Sequence, residues 1–291
     1  MLENKWHAML LAVVLAMLSY TAWLSVSVIA LVSLRRGWRD GAWLLIPATT
    51  INIVLALTYS TPTIAVINAL LTFVPCYLAA CGLRFIASWR LVAVILFIQI
   101  AIAVSLVQMF LPEFMTAQYV YFQHVLREMH TDGALFQLID DKTGLNQIIL
   151  TSYLLGLQAV GVALSAVFSL MLARSVQSQL FNPGGFRQEM LTFQGEKLGL
   201  LLLVITLVMA NHHNVLAMST LPAIMFYFLL AGLSLAANVL VKKKPLVSLL
   251  LLTSAFLVLP FIMIPVCILF GSLDSLFNFR FYLPSDASKT I

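Results

Sequence analysis

Five amide side chains interrupt long apolar stretches of the chain, where few other polar groups occur. An amide in hydrocarbon costs free energy unless its donors and acceptors are paired. One interpretation is that these amides pair across neighbouring helices and hold them together. The other is that they converge on an outward-facing pocket, which would suit a neutral or weakly polar small molecule. The five residues are Asn52, Asn68, Gln99, Gln108 and Gln158.

A second polar cluster, His212 and His213, lies between two apolar runs and is flanked by Asn211 and Asn214. One interpretation is a turn whose side chains satisfy the free backbone groups of two helix ends. The alternative is a ligand or metal site on the outer face. Neighbouring histidines point to different faces of a helix, so they form a poor chelating pair unless the turn reorients them.

The patterns that carry nucleotide binding or catalysis are missing from the sequence. It contains no phosphate-binding glycine loop, no HExxH and no Ser/His/Asp arrangement. No acidic residue lies in the middle of an apolar run, so the carboxylate relay of a proton pump is not expected. The three cysteines lie inside apolar runs, and their spacing fits no zinc pattern. We therefore expect neither an enzyme nor a bound cofactor or metal.

The segments that must position these side chains are strongly hydrophobic. Of the 291 residues, 62% are hydrophobic and 9% are charged, and the mean hydropathy is +1.02. A soluble domain has about 25% charged residues, because its surface must face water. The apolar runs are near 20 residues long, which favours membrane-spanning helices over the short alternating strands of a barrel. The composition predicts an all-α integral membrane protein with one polytopic domain over residues 1–291.

Charged and turn residues divide the chain into about eight candidate transmembrane helices. The first run is either one tilted span or a hairpin broken near Ser19–Thr21. The sixth is short for a hydrocarbon core of about 30 Å. The predicted spans cover residues 8–34, 41–59, 63–83, 90–112, 146–174, 197–212, 215–241 and 246–271.

Basic residues concentrate in one set of the loops between these spans. That set holds eleven of the 16 Lys and Arg residues, and the positive-inside rule places it in the cytoplasm. With eight spans, both termini and the 113–145 segment are then outside, whereas a hairpin in the first run would return the N-terminus to the cytoplasm. The eleven residues are Arg35, Arg36, Arg39, Arg84, Arg90, Arg174, Arg187, Lys197, Lys242, Lys243 and Lys244.

The 113–145 segment is too long for an ordinary connector. Apolar residues recur in it at alternating spacings of four and three, which predicts one apolar stripe on a helix. The segment is therefore interpreted as an extracytoplasmic amphipathic helix, which lies on the membrane interface or acts as a lid over a pocket. The stripe consists of Met115, Tyr119, Phe122, Leu126 and Met129.

Three alanines, Ala8, Ala12 and Ala16, share one face of the first apolar run. Small residues four apart let another helix approach closely in a membrane. The face either packs inside the protein or docks a partner membrane protein.

A polar turn separates the fifth and sixth predicted spans, with the sequence NPGGFR. Pro183 disfavours a helical conformation of the residue before it, and the two glycines allow backbone angles that other residues avoid. The turn is predicted to be cytoplasmic, either as a simple connector or as a contact for a partner. Its residues are Asn182, Pro183, Gly184, Gly185, Phe186 and Arg187.

Two stretches carry a family resemblance, WLSVSVIALVSLRRGWRDG (23–41) and LARSVQSQLFNPGGFRQEM (172–190). In them the chain resembles the YybS-like family of bacterial membrane proteins, which is distantly similar to the S components of energy-coupling-factor transporters. The resemblance implies an outward pocket for a vitamin-like ligand and a first helix whose Ala8, Ala12 and Ala16 dock a transmembrane coupling subunit. S components usually have six spans, so the position of the pocket does not carry over span for span.

The function expected from these observations is capture of a small neutral molecule at the bacterial inner membrane. The molecule would be passed inward with a partner membrane protein, because the sequence has no nucleotide-binding motif and no ion relay of its own. The alternative is a membrane scaffold or assembly factor that moves nothing. Neither hypothesis involves nucleic acid, since most basic residues lie in short loops beside spans.

Overall fold

The computed structural model describes residues 5–128, 145–181, 183–241 and 245–282, and this part of the chain is all-helical. The α-helices, in chain order, are α1 (Lys5–Met17), α2 (Ala22–Arg36), α3 (Trp38–Ala56), α4 (Pro62–Ile86), α5 (Trp89–Phe110), α6 (Pro112–Glu128), α7 (Leu145–Phe181), α8 (Gly185–Leu191), α9 (Lys197–Asn211), α10 (Val215–Val241), α11 (Pro245–Val258) and α12 (Pro260–Phe277). Short 3-10 helices cover Ser19–Thr21 and Phe279–Tyr282.

Five helices are long and apolar enough to cross a membrane within the described ranges. They are Pro62–Ile86, Trp89–Phe110, Gln147–Phe181, Val215–Val239 and Pro260–Phe277. The first four agree with predicted spans, and the helical class is confirmed. Trp6–Met17 and Lys197–Asn211 are apolar but shorter. The predicted count of eight spans is therefore not confirmed.

The first apolar run, 8–34, forms a helical hairpin and not one span. The Ser25 hydroxyl donates to the Ala12 carbonyl at 2.7 Å, and the Thr21 hydroxyl donates to the Leu15 carbonyl at 2.9 Å. Contacts between residues equally far from the turn require α1 and α2 to run antiparallel. Tyr20, at the turn, is 95% exposed.

The last predicted span, 246–271, is also two helices. The chain breaks between α11 and α12 at Leu259, whose φ of −131° and ψ of 55° are not helical. Pro260 explains the break, because a proline ring clashes with a helical conformation of the preceding residue. Proline is also well suited to the first turn of the helix that follows, where its missing N–H is not needed.

Contacts between helix ends define one end of the bundle, which we name the basic end. The Arg84 guanidinium donates to the carbonyls of Ser33 and Leu34 at the end of α2, and that of Arg35 lies 5.1 Å from the ring centre of Phe181 at the end of α7. Trp89, at the start of α5, contacts Phe186 of α8. The ends of α2, α4 and α7 and the starts of α3 and α5 therefore meet there.

The described chain begins near the basic end. Trp6 of α1 packs edge-on against Trp43, near the start of α3, with ring centres 5.8 Å apart. This position agrees with the hairpin alternative for the first apolar run, which returns the N-terminal side of α1 to the basic loops. Arg280, after α12, donates to the carbonyls of Leu191 and Phe193 beside α8. The side on which the C-terminus lies stays a prediction.

The interior is held by close contacts of small residues around α10. Gly232 of α10 and Gly271 of α12 leave no room for a side chain, because an added Cβ would lie 1.9 Å from the Cys267 carbonyl oxygen or 2.2 Å from that of Phe228. On the α7 side, a Cβ at Gly156 would lie 2.7 Å from the Ser219 carbonyl oxygen. These contacts bring the helix backbones together, which is how helices associate where lipid removes the hydrophobic drive.

Candidate functional site

A cavity of about 70 Å³ lies between α4, α5 and α7, in the half of the bundle away from the basic end. Three of the five predicted amides line it, namely Asn68 of α4, Gln99 of α5 and Gln158 of α7. Aliphatic side chains form most of the remaining wall, among them Ile64, Ile67, Leu71, Ile100, Val104, Leu155 and Val162. We refer to this space as the amide cavity.

Gln99 is the central polar group of the amide cavity. Its side-chain oxygen Oε1 is fully buried and has no hydrogen-bond partner in the described part of the chain. A buried amide oxygen without a donor costs about 1–3 kcal/mol. A bound molecule that donates a hydrogen bond to Gln99 Oε1 would offset this cost.

The α4 wall of the amide cavity includes a proline. Pro75 lies inside α4, and proline has no N–H to donate to the carbonyl four residues earlier. That carbonyl belongs to Leu71, which lines the cavity together with Pro75. The Leu71 carbonyl therefore lacks the helical hydrogen bond that a residue other than proline at position 75 would supply.

Asn68 and Gln158 supply both donors and acceptors to the same space. Neither makes a side-chain hydrogen bond to any residue that the structure describes, and both are exposed at the cavity. The Asn68 backbone carbonyl also accepts a hydrogen bond from the Thr72 hydroxyl at 2.7 Å. Because no ionisable side chain lines the cavity among the described residues, it suits a neutral group.

The start of α6 covers one end of the amide cavity, since Leu111 and Phe114 belong to its lining. The helix, Pro112–Glu128, covers the first part of the predicted segment, and Tyr119 of the predicted stripe is buried. Met129 and the rest of the segment to residue 145 lie outside the described residues, except where α7 begins. The interpretation of this segment as a lid stays a hypothesis. The structure places Phe114 of α6 in the lining of the cavity.

The other two predicted amides are used between helices. Gln108 Nε2 donates to the Ser219 hydroxyl of α10 at 2.6 Å, and Asn52 Nδ2 donates to the Ala16 carbonyl of α1 at 3.5 Å. Both join helices and neither lines the amide cavity. Two of the five amides therefore link helices, whereas the other three line the amide cavity.

His212 and His213 form the turn between α9 and α10, and both are exposed. His213 has a φ of +56°, and the Asn214 side chain accepts a hydrogen bond from the Ala217 N–H at 3.1 Å, which caps α10. Among the described residues no group of three or more His, Cys, Asp or Glu could hold a metal ion. The histidines lie apart from the amide cavity, and their contacts agree with the interpretation as a capping turn.

The alanine face of α1 is an internal packing surface. Ala8, Ala12 and Ala16 are buried within this one chain, between 0% and 7% exposed. The Ala12 and Ala16 carbonyls accept hydrogen bonds from α2 and α3. This face is therefore filled by the protein's own helices and is not open to a partner. The folding of 8–34 into a hairpin is the cause.

At the basic end, Glu189 of α8 joins three elements. It accepts bonds from Arg174 of α7 at 2.5 and 3.0 Å and from the Trp89 indole of α5 at 2.8 Å. The hydrogen bonds from Arg174 hold the pKa of the Glu189 carboxyl below its usual range, against the opposing effect of partial burial, and the bond from Trp89 adds to them. The short α8 is thereby anchored to two long helices.

The predicted NPGG turn precedes this anchored helix. Gly184 has a φ of +88°, a region in which a glycine is favoured, and Gly185 begins α8. The Phe186 N–H donates to the Ser178 hydroxyl at 3.4 Å, whereas Arg187 is exposed. Asn182 lies outside the described residues. The turn is thus tied to α7 on one side and to Trp89 on the other.

Sequence reasoning missed an ion pair between Asp274 and Arg280. Arg280 Nε donates to Asp274 Oδ2 at 2.9 Å, and the Asp274 side chain is fully buried. Burial lowers the pKa of Arg280, and the bond to Asp274 opposes that effect. Arg280 also holds the Leu191 and Phe193 carbonyls, so it supplies donors to the non-helical residues before α9. The sequence signal for this ion pair was an acidic and a basic residue on either side of the end of the last apolar run.

Comparison of the chain with models of known protein families, with curated proteins and with solved structures finds no match. The class of the protein therefore comes from its own fold. The described part of the chain is all-helical, with five helices long and apolar enough to cross a membrane and a small amide-lined cavity between three of its helices.

Proposed function

We propose that this protein captures a small neutral molecule at the bacterial inner membrane and passes it inward with a partner membrane protein, as S components do. The observation that carries the proposal is the amide cavity, in which Gln99 Oε1 is buried without a donor and Asn68 and Gln158 face the same space. Structural glue explains Gln108 and Asn52, but it leaves these three amides unexplained.

The orientation follows from the basic end. Eight of the eleven basic loop residues belong to the described chain, and Arg280 joins them at that end. The positive-inside rule places this end in the cytoplasm. We propose that α1 begins at the cytoplasmic side, because Trp6 packs against Trp43 at the basic end. The amide cavity then lies in the outer half of the membrane, where α6 covers it.

Replacement of the cavity amides tests the capture proposal. The small molecules released from purified wild-type protein are compared by mass spectrometry with those from Gln99→Leu and Gln158→Leu. We expect one molecule to be released by the wild type and to be lost from both variants, because each change removes hydrogen-bonding groups from the cavity without adding bulk.

Gln108→Leu is the matched control for these variants. It removes the bond to Ser219 outside the cavity, so it should lower the free energy of unfolding by about 1 kcal/mol and retain the released molecule. A stoichiometric protein partner in the purified sample, with no small molecule in any variant, would favour the scaffold alternative over capture.

A further inference from the structure

The amide cavity is too small for the whole of a vitamin-sized molecule. Its volume is about 70 Å³, whereas one water occupies about 30 Å³ in the liquid and pockets for larger ligands measure roughly 300–1,000 Å³. Only a polar group of a few atoms fits beside Gln99. The remainder of any larger ligand must lie in an adjoining space.

Such a space exists between α4 and α5, where a crevice of about 650 Å³ shares a wall with the amide cavity. The shared wall includes Leu71, Pro75 and Gln99. Among the described residues, the only other polar side chain that lines the crevice is Thr63. Gln99 is therefore the polar group shared by the small amide cavity and the large apolar crevice.

The crevice opens on the outer surface of the bundle, toward lipid. Its rim is formed by apolar side chains that are between 43% and 55% exposed, namely Leu70, Leu78, Ile102 and Leu106. A molecule in the bilayer reaches this opening without crossing water.

The depth of Gln99 restricts what can occupy the crevice. Gln99 lies near the middle of α5, about 15 Å from either end at a rise of 1.5 Å per residue. A phospholipid head group stays at the membrane interface, because a charge at this depth is costly. The occupant must therefore have a neutral polar group that can enter the centre of the bilayer.

From these observations we infer that the captured molecule is a neutral amphipathic alcohol that enters from the bilayer between α4 and α5. Its hydroxyl donates to Gln99 Oε1 in the amide cavity, and its hydrocarbon chain fills the crevice. This inference rests on the proposed function and specifies its substrate class. It explains both the unpartnered oxygen of Gln99 and the contrast between the two spaces.

Photolabelling tests this inference on the full chain reconstituted in phosphatidylcholine vesicles. The probe is tetradecanol with a diazirine in its chain, and the labelled residues are mapped by mass spectrometry. We expect labels on α4 and α5 at the crevice, competition by tetradecanol and no competition by tetradecane. Gln99→Leu should weaken the competition by about fivefold, the effect of one net hydrogen bond.

A pair of tryptophan substitutions on α4 separates the crevice from the general lipid surface. Val74 lines the crevice only, so Val74→Trp should abolish the labelling. Val66, on the same helix, is exposed and lines neither space, so Val66→Trp should leave the labelling unchanged.

Two results would overturn the inference. Labelling that tetradecane competes as well as tetradecanol, unchanged by Gln99→Leu and Val74→Trp, would show ordinary lipid contact. Release of a water-soluble molecule that depends on Gln99 and Gln158, without tetradecanol competition, would overturn the inference and leave the capture proposal standing.

Discussion

At the scale of single residues, the surroundings of each side chain decide what a buried polar group does. Gln99 and Gln108 belong to the same helix, yet Gln108 meets the Ser219 hydroxyl while Gln99 Oε1 meets no donor. Amides between membrane helices usually pair. An unpaired amide in a cavity is therefore more informative about binding than the presence of amides in apolar sequence.

Glu189 gives a prediction at this scale. Its folded-state pKa lies below the ordinary value of 4.5, so its contribution to stability is present above that value and is lost as the pH falls through the folded pKa. The difference in thermal stability between wild type and Glu189→Gln should be largest near neutral pH and should shrink below about pH 4.5. Thermal unfolding between pH 7 and pH 3 measures it.

Glu196→Gln is the control for the loss of one negative charge. The Glu196 carboxylate makes no hydrogen bond to any described residue. Only the backbone N–H of Glu196 donates to another element, to the Tyr227 hydroxyl. A Glu189→Gln effect that stayed constant across this pH range, or that Glu196→Gln reproduced, would contradict the assigned role of the Arg174 and Trp89 bonds.

At the scale of the elements, short breaks divide apolar runs into two helices. The turn at Ser19–Thr21 folds the first run into a hairpin, and the break at Pro260 separates α11 from α12. The α1–α2 hairpin covers the alanine face from within, and Arg280 reaches α8 after the second break. The role of these residues therefore depends on which helices pack together, and not only on their helical conformation, which the sequence predicted.

Two glycines, one in the turn before α8 and one inside α7, test how backbone conformation affects stability. An added Cβ meets no atom within 4 Å at Gly184 or at Gly161, but only Gly184 has a positive φ, of +88°. Gly184→Ala should lower the free energy of unfolding by about 1–2 kcal/mol, because a left-handed conformation is strained for alanine. Gly161→Ala, in the interior of α7, should raise it by up to about 1 kcal/mol.

Thermal unfolding of the two variants in the same detergent supplies the comparison. Equal stability of Gly184→Ala and wild type would show that the turn before α8 relaxes freely and does not depend on its left-handed residue.

At the scale of the whole molecule, the charge distribution and the helix arrangement agree on one orientation. Arg174, Arg187 and Arg280 lie near one end, and the His212–His213 turn lies at the other end of α9. Trp6 packs against Trp43 near the start of α3, so α1 begins at the same end of the bundle as the basic loops. The arrangement therefore favours a cytoplasmic start of α1.

Labelling with a membrane-impermeant maleimide checks this orientation. In intact cells, His213→Cys should react and Arg187→Cys should react only after the membrane is permeabilised. An epitope tag at the N-terminus should become accessible together with Arg187→Cys. A tag that is accessible in intact cells together with His213→Cys would overturn the proposed arrangement for that terminus.

The sequence by itself determined the helical membrane class, most long apolar helices and the set of amides from which the cavity is built. These properties depend on local composition and on the length of apolar runs. Asn68, Gln99 and Gln158 could be named in advance because an amide is conspicuous among aliphatic side chains.

Only the tertiary structure decided which amides meet, which face of α1 is covered and at which end of the bundle α1 begins. A helix presents several faces, and hydrophobicity does not specify which neighbour each face meets, because lipid and protein interiors are similarly apolar. Gln108 and Gln158 therefore look alike in the sequence, although one links α5 to α10 and the other lines the cavity. Asp274 and Arg280 acquire their role only because α12 brings them beside α8.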